Sequence, residues 1–216
     1  MALRIVTQPA DEPLTLAEAK AHLRQTSADD DDLISALIIA ARTAVEDITK
    51  RSLITQTLEL TRDYCEPPSL VAGTPVTVFR PTVIYLPRPP LQSVLSVTYL
   101  DGEGNTVTLH DTTGSPQIDS AIVVDTKSQP GRIVPVLNGS WPSTLDQINA
   151  VTIQYKAGYG DDGQDVPGPI LAAIKLVLGH LYEHPEAVSE QVNLAELPMG
   201  VQFLLSRYMV MLDEIA

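Results

Sequence analysis

The stretch Pro169-Ile-Leu-Ala-Ala-Ile-Lys-Leu-Val-Leu-Gly-His-Leu-Tyr-Glu-His184 organises the rest of this chain. Pro169 suits the first helical position, where its missing N–H group would have no partner anyway, and Pro185 prevents the helix from continuing. With about 100° of rotation per residue, one broad face of this helix is apolar. That face contains Ile170, Leu171, Ile174, Val177, Leu178 and Leu181.

The opposite side of this helix carries small or apolar residues instead of charges. These residues are Ala172, Ala173, Leu176 and Gly179. A helix that is apolar nearly all round is covered on more than one side, and small side chains allow another helix to approach closely. We expect either the C-terminal helix or a neighbouring subunit on this side, and take Ala172, Leu176 and Gly179 as subunit-interface candidates.

Composition and charge argue against a protein that grips nucleic acid and against a secreted one. The chain has 216 residues, 27 acidic against 14 basic side chains and a formal net charge of −13. A protein that grips nucleic acid needs clustered Lys and Arg to neutralise phosphates, so we expect no such grip. Its one cysteine, Cys65, cannot form an internal disulfide, and no secretory signal precedes the first helix. We therefore expect a soluble protein made in the cytoplasm.

Two helices are predicted before residue 52. Thr15 and Glu18 form a capping box that opens a helix ending near Arg24. A second helix follows four consecutive aspartates, which suit the positive end of a helix dipole, and runs to about Lys50. Its predicted core face contains Leu33, Ile34, Leu37, Ile38, Ala41, Val45 and Ile48. The polar side is expected to contain Ser35, Arg42, Thr43 and Glu46, together with Ile39, a further interface candidate.

From Leu53 the apolar period changes from helical to two, which indicates strands. Strands are predicted at residues 53–63, 83–86, 94–100, 106–110, 121–125, 132–136 and 150–155, with a hairpin turn at Asp101–Asn105. The last helix is predicted from Pro198 to Leu212. Its apolar stripe contains Val201, Leu204, Leu205, Tyr208 and Leu212, and Phe203, Met209, Val210 and Met211 fall outside it.

These elements predict an α+β protein. Residues 1–52 supply N-terminal helices, residues 53–157 form an inserted antiparallel β region, and residues 158–216 complete a helical bundle. The middle of the chain lacks helices between its strands, which argues against βαβ units.

Two alternatives to a structural role come from short motifs. His180, Glu183 and His184 fit the H-x-x-E-H pattern of zinc hydrolases. A catalytic zinc also needs a third protein ligand, and no recognisable motif in the sequence supplies one. The favoured interpretation of these residues is a polar helix end. A ligand-binding β domain on a helical base would need exposed loop aromatics, for which only Phe79 and Tyr159 are available. The G-x-G-x-x-G segment from Gly158 to Gly163 is acidic and is interpreted as a mobile loop. We expect no cofactor, no metal and no catalysis.

The order of several segments along the chain is familiar. They are residues 14–24, 30–34, 51–57, 86–94, 130–135, 141–142 and 155–160, followed by the helix from Pro169. In this order the chain resembles the head–tail connector, or neck adaptor, proteins of tailed phages, particularly longer members with a central β insertion.

The resemblance implies a homo-oligomeric ring, commonly of about twelve copies. Such a ring lies in the virion neck, under the portal of the DNA-filled capsid, and receives the stopper or tail; it assembles in the host cytoplasm. DNA passes through its lumen without sequence-specific binding during ejection. Mapped onto this chain, the portal-binding candidates are Phe203, Tyr208, Met209, Val210, Met211 and Leu212.

Overall fold

The computed structural model describes residues 1–65, 83–114, 121–184 and 199–210. These residues form helices and antiparallel sheets, which confirms the predicted α+β class. They divide into two compact units. The β unit comprises Met1–Gln8 and the described part of Gln56–Ala157, and the helical unit comprises Pro9–Thr55 and the described residues from Gly158 onward.

The helical unit contains four α-helices. They are α1 (Leu16–Leu23), α2 (Asp31–Thr49), α3 (Gly168–Glu183) and α4 (Met199–Leu205), with a 3-10 turn at Gly163–Asp165 before α3. The predicted capping box opens α1: Thr15 Oγ1 accepts from the Glu18 N–H group, and the Thr15 N–H group donates to Glu18 Oε2. Helix α2 ends at Lys50, which adopts a left-handed φ of 56°.

Helix α3 lies at the centre of the helical core. It contacts α2, α4 and α1. Its fully buried residues are Ile170, Ala173, Ile174, Val177, Leu178 and Leu181. Val201 and Leu205 of α4 join the same core, so the C-terminal helix packs against α3, as one of the two expectations had it. Ala173 is buried although it was assigned to the opposite side, whereas Leu171 is only half-buried.

The predicted faces of α2 need correction at three positions. Leu33 was placed in the core but is exposed, while Arg42 and Glu46 were placed on the polar side but are buried. Arg42 Nη1 lies 3.0 Å from Glu46 Oε2, and Arg42 Nε lies 2.7 Å from Glu12 Oε2. Glu46 also accepts a 2.8 Å hydrogen bond from the Leu53 N–H group. Because each charge has a partner in the interior, both side chains can be buried.

The last described helix is shorter than predicted. Helix α4 ends at Leu205, and the chain turns away through residues 206–208, whereas a helix to Leu212 was expected. Contacts with the end of α2 hold the turned chain: the Val210 N–H group donates to the Thr49 carbonyl at 3.1 Å. Met211 and Leu212 lie outside the described residues.

The β unit contains eight strands. They are β1 (Ala2–Thr7), β2 (Gln56–Arg62), β3 (Ile84–Leu86), β4 (Leu91–Leu100), β5 (Thr106–Asp111), β6 (Ile122–Asp125), β7 (Gly131–Pro135) and β8 (Val151–Ala157). One sheet has the order β1-β2-β8-β4-β5 and the other β3-β7-β6, with antiparallel neighbours throughout. Strand β1 was not predicted, because its sequence alone does not reveal the partner strand, 50 residues further along.

Both sheets contribute to one β core. The larger sheet supplies Leu58, Leu60, Ile153 and Val97 to this core, and the smaller sheet supplies Ile84, Leu86 and Ile133. The burial of Leu58 and Leu60 that the alternation predicted is confirmed, but Glu59 between them, expected on the polar face, is buried as well. Tyr155 is buried in this core and donates its hydroxyl to the Pro87 carbonyl at 2.8 Å. Burial raises the pKa of Tyr155, so its phenol stays protonated as a donor.

The glycine-rich segment before α3 is fixed by backbone pairing. The Tyr159 N–H group donates to the Leu53 carbonyl at 3.1 Å, and the Thr55 N–H group donates to the Gly160 carbonyl at 2.8 Å. Gly158 has a φ of 142°, and a Cβ at this position would lie 2.6 Å from the Ile54 carbonyl carbon. Glycine is therefore required at position 158 by close backbone approach, and the first half of the segment is paired with residues 53–55.

Candidate interaction surfaces

The outer side of α2 presents an apolar surface. Leu33 is 50% exposed and Ile39 is 48% exposed, and the exposed residues Ala36 and Ala40 lie between and beside them on the helix. We call these four residues the α2 surface. Ile39 was predicted from the helical period, whereas Leu33 was missed because the period alone placed it at the edge of the core face.

Neighbouring hydroxyl groups on this side of α2 are occupied within the helix. Ser35 Oγ donates to the Asp31 carbonyl at 2.8 Å, and Thr43 Oγ1 donates to the Ile39 carbonyl at 2.9 Å. A hydroxyl that bonds back to its own helix presents less polar surface to a partner. The α2 surface is thus suited to apolar contact more than to polar recognition.

A second apolar surface lies on α3 and α4. Ala172 is exposed and Leu176 is 37% exposed, and a Cβ at Gly200 of α4 would lie 3.6 Å from Leu176 Cδ1. Phe203, three residues after Gly200 and hence on the same side of α4, is 81% exposed. We call Ala172, Leu176 and Phe203 the α3/α4 surface.

The two surfaces point in different directions. Helices α2 and α3 contact each other through their buried faces, so the exposed face of each points away from the other. The helical unit therefore offers two unlike apolar surfaces on separate sides, as a head-to-tail contact between copies requires.

Gly179 differs from the other interface candidates. A Cβ at this position would lie 3.7 Å from His22 Nε2 of α1, so the end of α3 is approached by another helix of the same chain. The small-residue side of α3 is thus partly covered by α1 and α4, and Ala172 and Leu176 remain accessible. The interface role of Gly179 stays a prediction.

The portal-binding candidates are in different environments. Phe203 and Met209 (43% exposed) face solvent, whereas Tyr208 and Val210 are half-buried. The buried Arg51 donates from Nε to the Tyr208 carbonyl at 2.6 Å. Burial also raises the pKa of the nearby Tyr159 phenol, although the Arg51 charge opposes that shift. The chain after α4 is therefore anchored before it reaches Met211.

His180 and His184 lie at the C-terminal end of α3. His184 Nδ1 lies 3.1 Å from the His180 carbonyl oxygen, and the two ring centroids are 4.7 Å apart. In the described ranges, no three His, Cys, Asp or Glu side chains are grouped so that they could hold a metal ion. For the alternative of a ligand-binding β domain, Tyr159 is half-buried and Phe79 lies outside the part of the chain that the structure describes.

These surfaces belong to a fold with known relatives. Residues 13–97 match the family model described as phage gp6-like head-tail connector protein. The predicted resemblance to head–tail connectors is confirmed. The matched residues begin before α1 and end in β4, so they include α1, α2, β2, β3 and most of β4, but not β1. No curated protein matches the chain.

Solved structures are similar to this chain over nearly its whole length. A chain from the neck of an empty gene transfer agent (GTA) particle, computed with C6 symmetry, is 21% identical with a TM-score of 0.70. A chain from the native GTA virion gives the same values, and one from the native neck computed with C12 symmetry gives a TM-score of 0.68 at 21% identity. Each match covers 98% of this chain and 96% of the other. At this identity the likeness shows a shared fold.

Hydropathy adds one finding about the helices. Among the helices that the structure describes, none is both long enough and apolar enough to cross a membrane.

Proposed function

We propose that this protein is a structural adaptor of a phage-like neck. It forms a homo-oligomeric ring under the portal, joins the DNA-filled capsid to the stopper or tail, and lets DNA pass. The observation that carries this proposal is the fold shared over 98% of the chain with a subunit of a particle neck, together with the connector family match at residues 13–97. Its place is then the virion neck, with assembly in the host cytoplasm.

The two apolar surfaces of the helical unit supply the ring contacts. In this proposal the α2 surface of one copy packs against the α3/α4 surface of the next, with Ile39 and Leu176 as central contacts. Heterologous contacts of this kind close into rings when the rotation between copies closes. Burying a large apolar side chain contributes roughly 1.5–3 kcal/mol, so Leu33, Ile39 and Phe203 add substantially to each contact.

The segment after α4 is proposed to reach the portal. Met209 is exposed, and Val210 is bonded to the end of α2, so the chain enters residues 211–216 from a fixed position. The apolar residues Phe203, Met209, Met211 and Leu212 suit insertion into an apolar groove of another protein. Tyr208 and Val210 anchor the start of this segment through their contacts with Arg51 and Thr49.

The net charge of −13 fits a DNA conduit. Carboxylates near a lumen repel phosphates, so DNA passes without being held, and sequence-specific binding has no basis. In this proposal the role is structural, without catalysis or a cofactor.

Assembly tests the proposal. We would measure the mass of the purified protein by light scattering, alone and after co-expression with the portal protein of the same particle. The expected result is a ring of about twelve copies in at least one of the two conditions. A strict monomer that also fails to co-purify with the portal would contradict the proposed function.

A further inference from the structure

One row of side chains crosses the whole five-stranded sheet from edge to edge. The strand registers align Arg4 with Glu59, Glu59 with Gln154, Gln154 with Ser96, and Ser96 with Asp111. Arg4 Nε lies 2.6 Å from Glu59 Oε1, and Gln154 Nε2 donates to Glu59 Oε2 at 2.8 Å. The row therefore begins with a basic residue at the β1 edge and ends with an acidic residue at the β5 edge.

Both edges of this sheet are open over the described residues. Strand β1 pairs only with β2, and β5 pairs only with β4, among the strands that the structure describes. All six residues of β1 are exposed, including Leu3, Ile5 and Val6. Edge strands of natural proteins are usually protected from pairing by charges, proline or bulges. Strand β1 contains neither lysine nor proline, its one charge, Arg4, is paired with Glu59, and its register shift lies near its end, between Ile5 and Thr7.

We infer that β1 of one copy pairs with β5 of the next copy, so that the larger sheet continues from subunit to subunit. This inference rests on the proposed ring. Adjacent strands alternate in direction across the five strands, so β1 and β5 run the same way. A rotation about the ring axis preserves that direction when the strands lie roughly along the axis, so the new contact is a parallel ladder.

Charge and symmetry favour β5 as the partner of β1. In this arrangement Arg4 approaches Asp111 of the next copy, and opposite charges across a ladder stabilise the pairing. Hydrogen bonds from Thr113 and Gly114 lower the pKa of Asp111, which keeps its carboxylate ionised. Pairing of β1 with the β1 of a second copy would instead bring Arg4 near the Arg4 of that copy. Such a two-fold contact would also end at a dimer.

Cysteine cross-linking in a Cys65→Ser background, which removes the native thiol, tests this contact without interference from links inside one chain. The edges are four strand spacings apart, about 19 Å, which exceeds the roughly 7 Å limit for the Cα separation of a disulfide. In rings of the full-length protein, R4C/D111C treated with an oxidant or a short bis-maleimide should give a ladder of covalent multimers. A second pair, A2C/T108C, lies in the sheet row that joins Ala2, Thr61, Thr152, Thr98 and Thr108. It keeps the Arg4–Glu59 ion pair and guards against a folding defect in the first pair.

Each outcome decides the question. In the same Cys65→Ser background, the single variants A2C, R4C, T108C and D111C should stay monomeric on denaturing gels. Dimers from A2C or R4C alone would show β1–β1 pairing and overturn the inference. Rings of wild-type mass in which neither double variant cross-links would also overturn it, while the proposed ring stood. Failure of the wild-type protein to form rings, both alone and with the portal, would contradict both proposals.

Discussion

The Nε atom of Arg51 lies 2.6 Å from the carbonyl oxygen of Tyr208, 157 residues further along the chain. Arg51 is buried just after α2, and Tyr208 follows the last described helix, so one hydrogen bond joins the end of α2 to the approach to the C-terminal segment. The Val210–Thr49 backbone bond lies beside it. The C-terminal segment is therefore positioned by side-chain and backbone contacts together.

Replacement of Arg51 by methionine should loosen this anchor. A hydrogen bond to a charged group contributes about 1.5–3 kcal/mol, and we expect a loss of that size in the free energy of unfolding. Chemical denaturation measures the loss, and limited proteolysis should show faster cleavage after α4. The exposed Arg207→Met is the matched control, expected to change stability by less than about 0.5 kcal/mol. Equal behaviour of the two variants would refute the anchor.

The buried Arg42 should be intolerant of neutral replacement. Arg42→Met leaves Glu46, and the half-buried Glu12, without their shared cation. Breaking a buried pair on one side costs about 3–5 kcal/mol, so we expect a large fall in the urea midpoint. The exposed Arg24→Met should stay near wild type. A wild-type midpoint for Arg42→Met would show that the ion network contributes little.

The Arg4–Glu59 pair predicts an acid-sensitive β1 strand. The hydrogen bond from Arg4 lowers the pKa of Glu59 from its ordinary value of 4.5. A carboxyl with a lowered folded pKa contributes stability that is present above the unfolded pKa and lost as pH falls through the folded pKa. The protection factors of the β1 amides, obtained from hydrogen exchange after correction for its intrinsic pH dependence, should therefore fall below about pH 4.

The matched variant for this pH effect is Glu59→Gln. It should be less stable at neutral pH and show a weaker pH dependence, because it lacks the titrating group. The exposed Glu103→Gln serves as control, since Glu103 lies in the β4–β5 turn, away from β1. An unchanged pH profile in Glu59→Gln would assign the acid sensitivity to other carboxyl groups.

Gly158→Ala should destabilise the helical unit. The added Cβ would meet backbone atoms of Ile54 and Thr55 at 2.6 Å, and the residue holds a φ of 142°. We expect a loss of about 2–3 kcal/mol in thermal or chemical unfolding. At Gly168 an added Cβ meets nothing within 4 Å, so Gly168→Ala should be neutral or slightly stabilising. Similar stabilities for both variants would contradict the close approach at Gly158.

Ile39→Asp should block assembly while leaving the subunit folded. Ile39 is half exposed, so an aspartate there is tolerated in the monomer but carries a desolvation cost in an apolar contact. Light scattering should show a shift from rings to smaller species, with an unchanged melting temperature for the subunit. The control Ile39→Val keeps an apolar side chain at this position and should still form full rings. If Ile39→Asp still forms full rings, the α2 surface is not the ring contact.

Several elements of this fold followed from local sequence. The capping box at Thr15 and Glu18, the bounds of α2 and the alternation of Leu58 and Leu60 each depend on residues a few positions apart. Such patterns are visible without any knowledge of the fold, because backbone geometry fixes their spacing. The interface candidate Ile39 was found in the same way, as an apolar residue out of phase with its helix.

Other features depended on partners that are distant in sequence. Strand β1 exists because β2 supplies its hydrogen bonds, and Arg42 is buried because Glu12 and Glu46 surround it. Helix α4 ends at Leu205, where the end of α2 offers the Thr49 carbonyl and Arg51 as partners for the turned chain. Periodicity cannot reveal these contacts, because each joins segments whose separation is set only by folding.

The sequence by itself determined the helices, most strands, the α+β class and the resemblance to connectors, since these rest on local propensity and on the order of segments. Tertiary structure alone decided which polar residues are buried, which side of α3 is covered, and which strands lie at the sheet edges. The physical reason is that burial and pairing energies belong to contacts between segments, and a segment has no such energy until its partner is in place.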